Sequence, residues 1–390
     1  MRYEFAAPAR VVVGPGTSSE IPALVEGIGR TGFLVHGRAA ASRPGPIADL
    51  IRALENRGLV AAFLAGGGEP EIGVVEAGAA RARDARCDVV IAIGGGSVID
   101  TAKAIAGLAA NPGRALDYME VVGLGQPLRL PALPIVAVPT TAGTGSEVTR
   151  NAVVLSPEHR VKVSIRSPWL IPRVAVVDSI LTHNLPSQVT ASSGLDALTQ
   201  LLEAYVSLRA QPITDGICAE GLSRVAWALQ RAYHQPDDAE AREAMSTASL
   251  MSGLALANAG LGAIHGIAAT LGGAHDVPHG AACADLLTHV TRLNIRSLRR
   301  RSPASSALDR YGKAADLLRS PGTAGDSLID LPARLQDLVQ ELNIPRLATY
   351  GLTSASARPL AEQAAKASST RGNPIELEVS ELEEAILAAL

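Results

Sequence analysis

Over the first 180 residues, short unbroken apolar runs alternate with stretches whose apolar positions recur every three or four residues. The runs are Gly32-Phe33-Leu34-Val35, Val60-Ala61-Ala62-Phe63-Leu64, Asp88-Val89-Val90-Ile91-Ala92-Ile93 and Pro134-Ile135-Val136-Ala137-Val138. None alternates apolar with polar, and glycine or proline bounds them, as in parallel strands covered on both faces. Between the first two, Ile47-Ala48-Asp49-Leu50-Ile51-Arg52-Ala53-Leu54 has helical spacing and stops near Gly58. The pattern predicts an α/β domain, a Rossmann-like parallel sheet built from repeating βα units.

After about residue 185 the strand signals vanish. Alanine- and leucine-rich helical patterns follow at Leu198 to Leu208, Ile217 to Ala232, Ala239 to Ala259 and Leu360 to Ala367, with breaks at Pro212, Pro236 and Gly260-Leu261-Gly262. The expected organisation is an α/β domain over 1–183 and an all-α domain over 184–390. A chain of 390 residues exceeds the size at which a single core stops growing, which agrees with two domains. Arg296 to Ser306, basic and serine-containing, reads as solvated surface.

The net charge of -3 gives no electrostatic reason to expect nucleic acid or an anionic membrane as partner. No apolar run of about 18 residues is free of charge, and Met1-Arg2-Tyr3-Glu4-Phe5 lacks the apolar segment of a secretory signal, so a soluble cytoplasmic protein is expected. Cys87, Cys218 and Cys283 have no CxxC spacing; they suit a reducing compartment and read as small core residues.

Two stretches carry chemistry. Gly94-Gly95-Gly96-Ser97-Val98-Ile99-Asp100-Thr101-Ala102-Lys103 follows the third apolar run and opens a helix. Glycines there let backbone amides approach an anion, and the helix N-terminus adds partial positive charge, so a pyrophosphate fits. Val138-Pro139-Thr140-Thr141-Ala142-Gly143-Thr144-Gly145-Ser146-Glu147 ends the next strand with hydroxyls that can bond a ribose or base. In the helical half, Asp196 and Gln200 stand four apart and share a helix face, with His265 and His279 downstream. One carboxylate, two imidazoles and a neutral amide either hold a divalent ion with an open position or are the remnant of such a site.

The order GGGSVIDTAK, PTTAGTGSEVT, GLDALT with EAYVS, HGIA and PHG resembles the iron-containing (group III) alcohol dehydrogenases of the dehydroquinate-synthase-like superfamily. The likeness runs nearly end to end, from Phe5 to Gly16 through to Gly372-Asn373-Pro374 and a terminal helix from about Ser380. It implies an NAD(P)-dependent oxidoreductase that passes hydride between a nicotinamide and a small alcohol, aldehyde or ketone. By that resemblance Gly94, Gly95, Gly96, Ser97 and Asp100 serve the cofactor's diphosphate and nicotinamide side. Thr140, Thr141, Thr144 and Ser146 line the cofactor, and Lys162 reaches toward the nicotinamide ribose, where it also counts as a catalytic candidate. The metal ligands map to Asp196, Gln200, His265 and His279, for Fe2+ or Zn2+. Glutamine at 200 departs from the family's histidine and lowers the expected affinity. Alanine at 269 also departs, removing a histidine of the usual proton path, and His275 is the proposed catalytic substitute.

Asn151, just after the second glycine turn, is the expected substrate contact. His36-Gly37-Arg38 follows the first strand run without a carboxylate to repel a 2′-phosphate, and Arg38 can pair with one, so Gly37 and Arg38 favour NADP over NAD. Segments around Gly266-Ile267 and Asp276-Val277-Pro278-His279-Gly280 are also similar to the maleylacetate reductase branch, which implies a keto-acid reductase working without metal as the second reading. A cofactor-binding protein that has lost turnover is the alternative of another class. The resemblance further implies a homodimer joined through N-terminal strands.

Overall fold

In the computed structural model, residues 2–37, 44–66, 68–183, 185–275, 277–319 and 327–390 are described. Six parallel strands form the main sheet: β1 (Arg10–Val13), β2 (Gly32–Gly37), β3 (Val60–Gly66), β4 (Val89–Gly94), β5 (Ile135–Pro139) and β8 (Val174–Val177), in spatial order β1-β8-β5-β4-β2-β3. The unbroken apolar runs have a direct cause. Val90 and Ala92 of β4 pack on one side with the helices Ile72–Asp84 and Gly96–Ala110, while Val89, Ile91 and Ile93 pack on the other with Ile21–Glu26 and Pro46–Asn56. Both faces are covered, so polar residues have no place along the strand.

β2 and β4 are hydrogen-bonded neighbours, yet the chain leaves β2 for β3 on one side and leaves β4 for β5 on the other. Their carboxyl ends, at Gly37 and Gly94, therefore flank a point where the winding direction reverses, the usual place for a ligand in an open α/β sheet. Arg38 lies outside the described residues, and with it the structural part of the coenzyme preference.

The sequence pattern missed three parts of this unit. β1 and β8 are only four residues long. β6 (Asn151–Ser156) and β7 (Val161–Arg166) form an antiparallel hairpin with Asn151 opposite Arg166. Its alternating Val161-Lys162-Val163-Ser164-Ile165-Arg166 was a legible strand signal.

All further described regular elements are helical. The helix Ser187–Val206 is buried on every side from Gly194 to its end, so it is the central helix of its unit. Burial of Leu195, Leu198, Leu201 and Leu202 contributes about 1.5–3 kcal/mol each. That offsets the cost of burying Asp196, Gln200 and Glu203 on the same helix. Pro212 follows the break after Ser187–Val206 and opens the next helix, Pro212–His234, because proline at the first helical position forfeits no intrahelical bond. Arg296 to Arg301 is the last turn and a half of the helix His279–Arg301 and is not simply solvated: Ser297 and Leu298 are buried, and Arg296 pairs with Glu384, Arg300 and Arg301 with Glu381.

The chain divides into two compact units, one of Ala7–Thr141 with Gly145–Asn184, the other of Met1–Ala6, Ala142–Thr144 and Leu185–Leu390. Among the described residues no single helix is long and apolar enough to cross a membrane.

Candidate active site

The α/β unit presents the glycine turn. Gly94 ends β4, Gly95 is extended, and the helix Gly96–Ala110 starts with no side chain capping its N-terminus. Its first amides are thus open to an anion from outside. A Cβ on Gly94 would come within 2.6 Å of Val98, and one on Gly95 within 3.3 Å of the Thr141 side chain, so bulk at either position crowds the turn. Thr140 donates its backbone N–H to Gly94 O, which joins the two polar turns (3.0 Å). Ser97 is exposed at the helix start.

Behind the turn lies a buried polar knot. Lys103, fully buried, donates to Ser146 Oγ (3.0 Å), Thr149 Oγ1 (2.8 Å) and Asn151 O (3.1 Å), with Asp100 at 3.8 Å. Asp100 accepts from Ser146 Oγ (2.5 Å) and Val153 N (3.1 Å). Burial lowers Lys103 to about 8 against the pull of Asp100 and Glu147, and burial raises Glu147 to about 7. Sequence reading named Asp100 and Ser146 but not Lys103, although i,i+3 spacing puts it beside Asp100. Asn151 meets this knot through its backbone oxygen. Lys162 forms an ion pair with Glu69 (2.7 Å), and Thr144 belongs to the helical unit.

The helical unit carries the second constellation. Single donor atoms of Asp196, His265, His279 and Cys283 all lie within 4.8 Å of one another. Asp196 Oδ1 is 3.3 Å from His265 Nε2 and 3.7 Å from His279 Nε2, and Cys283 Sγ is 3.7 Å from His279 Nε2. Asp196, His265 and Cys283 are buried, whereas the His279 side chain is 41% exposed, so the cluster opens to solvent at one corner. Cys283 is therefore no mere core residue. The missed signal was its i+4 spacing from His279, the same relation that pairs Asp196 with Gln200.

Each donor is held from behind. Glu203, two turns after Asp196 on the same helix, accepts from His265 Nδ1 (2.7 Å) and from Ile264 N (2.7 Å). Asn373, from the late Gly-Asn-Pro segment, accepts from Ala263 N (3.1 Å) and so caps the helix Ala263–Ala274 that carries His265. With Nδ1 occupied, His265 turns Nε2 to the cluster. Gln200 donates Nε2–H to Asp196 Oδ2 (3.2 Å), and its Oε1 lies 3.0 Å from Ser252 Oγ. His275 is not in the cluster; it ends the helix Ala263–Ala274, its backbone N–H on Leu271 O.

The charges cooperate. Burial pushes Asp196 up, but the hydrogen bond from His265 and the charges of His279 and His265 bring it below its usual value. Burial pulls His265 down, yet Cys283, Asp196 and Glu203 raise it well above. Cys283 above all, then Asp196, raises His279 to about 9, and the two imidazoles hold the Cys283 thiol below its ordinary value despite burial. A carboxylate, two imidazole nitrogens and a thiol held below its ordinary value form a donor set that fits a divalent ion.

A parallel sheet with a glycine turn into an uncapped helix offers a place for an anion such as a diphosphate, and a helical unit gathering carboxylate, imidazole and thiol offers a candidate site for a divalent ion. Comparison with known proteins names the family. Residues 8–179 match the model of the iron-containing alcohol dehydrogenases, and residues 190–390 match the C-terminal model of the Fe-containing alcohol dehydrogenase family. The chain is 35% identical over 372 residues to the probable alcohol dehydrogenase EutG of Escherichia coli, covering 95% of this chain and 90% of that one. It is 35% identical over 292 residues to the NAD-dependent methanol dehydrogenase of Bacillus methanolicus, covering 75% and 76%. A crystal structure of 1,3-propanediol oxidoreductase superposes with a TM-score of 0.90 at 32% identity, each chain covered in full. The chain belongs to the iron-containing alcohol dehydrogenase family and is an oxidoreductase of the alcohol dehydrogenase type.

Proposed function

We propose that this protein reduces a small aldehyde or ketone with a nicotinamide dinucleotide, or oxidises the matching alcohol, using a divalent ion held by Asp196, His265 and His279. The observation that carries the reading is the convergence of Asp196 Oδ1 with both imidazole Nε2 atoms at 3.3 and 3.7 Å. A bound ion supplies Lewis acidity toward the oxygen of the carbonyl or alcohol. Glu203 fixes the His265 tautomer, and Asp196 contributes negative charge that favours a cation. In the α/β unit, the amides at Gly96 and Ser97 bind diphosphate, while the Asp100–Lys103–Ser146 knot keeps the adjoining polar turn rigid. His279, the exposed corner of the cluster, is where substrate approaches.

The absence of a carboxylate in His36-Gly37-Arg38 supports NADP as the preferred coenzyme. β1 is an edge strand with Val11 and Val13 exposed, which supports a homodimer joined along that edge. The deciding experiment follows oxidation of NADPH and NADH with short aldehydes, then keto acids, with and without added Fe2+, Zn2+ or Mn2+. Metal-dependent aldehyde reduction is expected. Turnover unaffected by chelation overturns the metal-assisted reading, and no oxidation under any condition overturns the enzyme reading.

A further inference from the structure

We infer that Cys283 is the fourth protein ligand of the metal site, replacing the imidazole that position 200 lacks, and that Gln200 stands outside the coordination shell. The inference rests on the metal site proposed above and adds the identity of its ligands.

Geometry carries the thiol. Ligands held about 2.0–2.3 Å from a zinc-sized ion and about 110° apart lie about 3.3–3.7 Å from one another, and expansion to five-coordination leaves a position for the substrate oxygen. Asp196 to His265 at 3.3 Å, Asp196 to His279 at 3.7 Å and His279 to Cys283 at 3.7 Å are edges of that size. His279 and Cys283 come from successive turns of one helix, so both project to the same side. The Cys283 side chain is buried, with its sulfur in the cluster.

Gln200 is arranged against ligation. Its only donor atom toward a metal would be Oε1, and that oxygen faces Ser252 Oγ at 3.0 Å while Nε2 faces Asp196 Oδ2 at 3.2 Å. Flipping the amide would set a carbonyl oxygen against the Asp196 carboxylate, which is repulsive, so the charge on Asp196 fixes this orientation. Gln200 then acts as a positioning residue, occupying Oδ2 and leaving Oδ1 free for the ion.

The exchange changes the chemistry of the site. Asp196 and thiolate Cys283 together carry two negative charges, which neutralise a divalent ion, where a carboxylate with neutral imidazoles would leave one positive charge. Sulfur also softens the set and favours Zn2+ over the harder Mn2+ and Fe2+.

X-ray absorption on the zinc-loaded wild-type protein tests this directly, without substrate or coenzyme. One sulfur at about 2.3 Å is expected. A second measurement loads Co2+ into the wild type, Cys283→Ser and Gln200→Ala. Thiolate-to-cobalt absorption in the near ultraviolet should appear in the wild type and in Gln200→Ala, and vanish in Cys283→Ser. Zinc affinity, by chelator competition, should fall about tenfold or more in Cys283→Ser and by less in Gln200→Ala, which keeps the sulfur ligand and loses only the hydrogen bond to Asp196 Oδ2. A shell of nitrogen and oxygen alone overturns the inference, as does failure to bind zinc or a loss of affinity confined to Gln200→Ala. If Cys283→Ser does not fold, the wild-type sulfur signal decides. Turnover is read separately, so an inactive protein with a sulfur ligand would refute the enzymatic reading and keep this one.

Discussion

Glu203 uses both carboxylate oxygens on one segment: Oε1 accepts from Ile264 N and Oε2 from His265 Nδ1, each at 2.7 Å. One side chain thus sets the start of the helix Ala263–Ala274 and the tautomer of its histidine. In Glu203→Gln only one atom can accept, so an amide N–H opposes either Ile264 N–H or the Nδ1–H of His265 and one of the two bonds is lost. Metal affinity should fall about 10–100-fold, as when outer partners of metal-bound histidines are lost. Chelator competition checks it, and unchanged affinity would show that His265 needs no such support.

Gly280 sits directly after His279, where the helix His279–Arg301 passes the backbone of Ser187–Val206. A Cβ at Gly280 would lie 2.4 Å from Ser192 O and 2.8 Å from Ser192 C. Backbone cannot yield as the tip of a side chain can, so Gly280→Ala must push the two helices apart. A loss of about 1–3 kcal/mol in urea unfolding is expected, together with weaker metal binding as His279 and Cys283 move away from Asp196. Native stability combined with native metal affinity would refute this close approach.

The parts that were legible in the sequence share a physical trait: they are written locally. Val89 to Ile93 had to be apolar throughout because both sheet faces are covered, and the triple glycine at 94–96 had to be small where the chain turns from strand to helix. Asp196, His265 and His279 stood out by their motifs, and the fold brings their donor atoms within 4.8 Å of one another. Cys283 was not, because a lone cysteine has the composition of core, and only the fold shows its sulfur facing His279. Glu203 was passed over for a related reason, since its partner is 62 residues away. Lys103 looked like an ordinary helix lysine until the hairpin β6–β7, which the sequence reading lacked, brought Asn151 O against its ammonium.

Gly95 leaves the glycine turn open, with the nearest would-be Cβ contact only 3.3 Å away on the Thr141 side chain. Gly95→Val fills that space and shields the amides at the start of Gly96–Ala110. Coenzyme dissociation constants, read by fluorescence titration of NADPH and NADH, should rise about tenfold or more, equivalent to about 1.4 kcal/mol. Unchanged affinity for both coenzymes would place the diphosphate elsewhere.

Glu147 and Lys103 make stability depend on pH from opposite directions. Burial raises Glu147 from 4.5 to about 7, so between those values the folded chain holds a proton that the unfolded chain has released. The resulting stabilisation is complete below pH 4.5 and is lost as the pH rises to about 7. Burial lowers Lys103 from 10.5 to about 8, so its charge weighs against folding below that value and the penalty lifts as the pH climbs toward 10.5. Glu147→Gln removes the first effect, and with it a carboxylate whose charge helps to hold Lys103 up. Relative to wild type, the variant should gain stability on going from pH 4.5 to 7.5, by on the order of 3 kcal/mol for the whole shift. Urea unfolding at three pH values measures the difference. Equal pH slopes for the two proteins between 4.5 and 7 would mean that Glu147 titrates as it does in the unfolded chain, and that its charge is compensated inside the knot around Lys103.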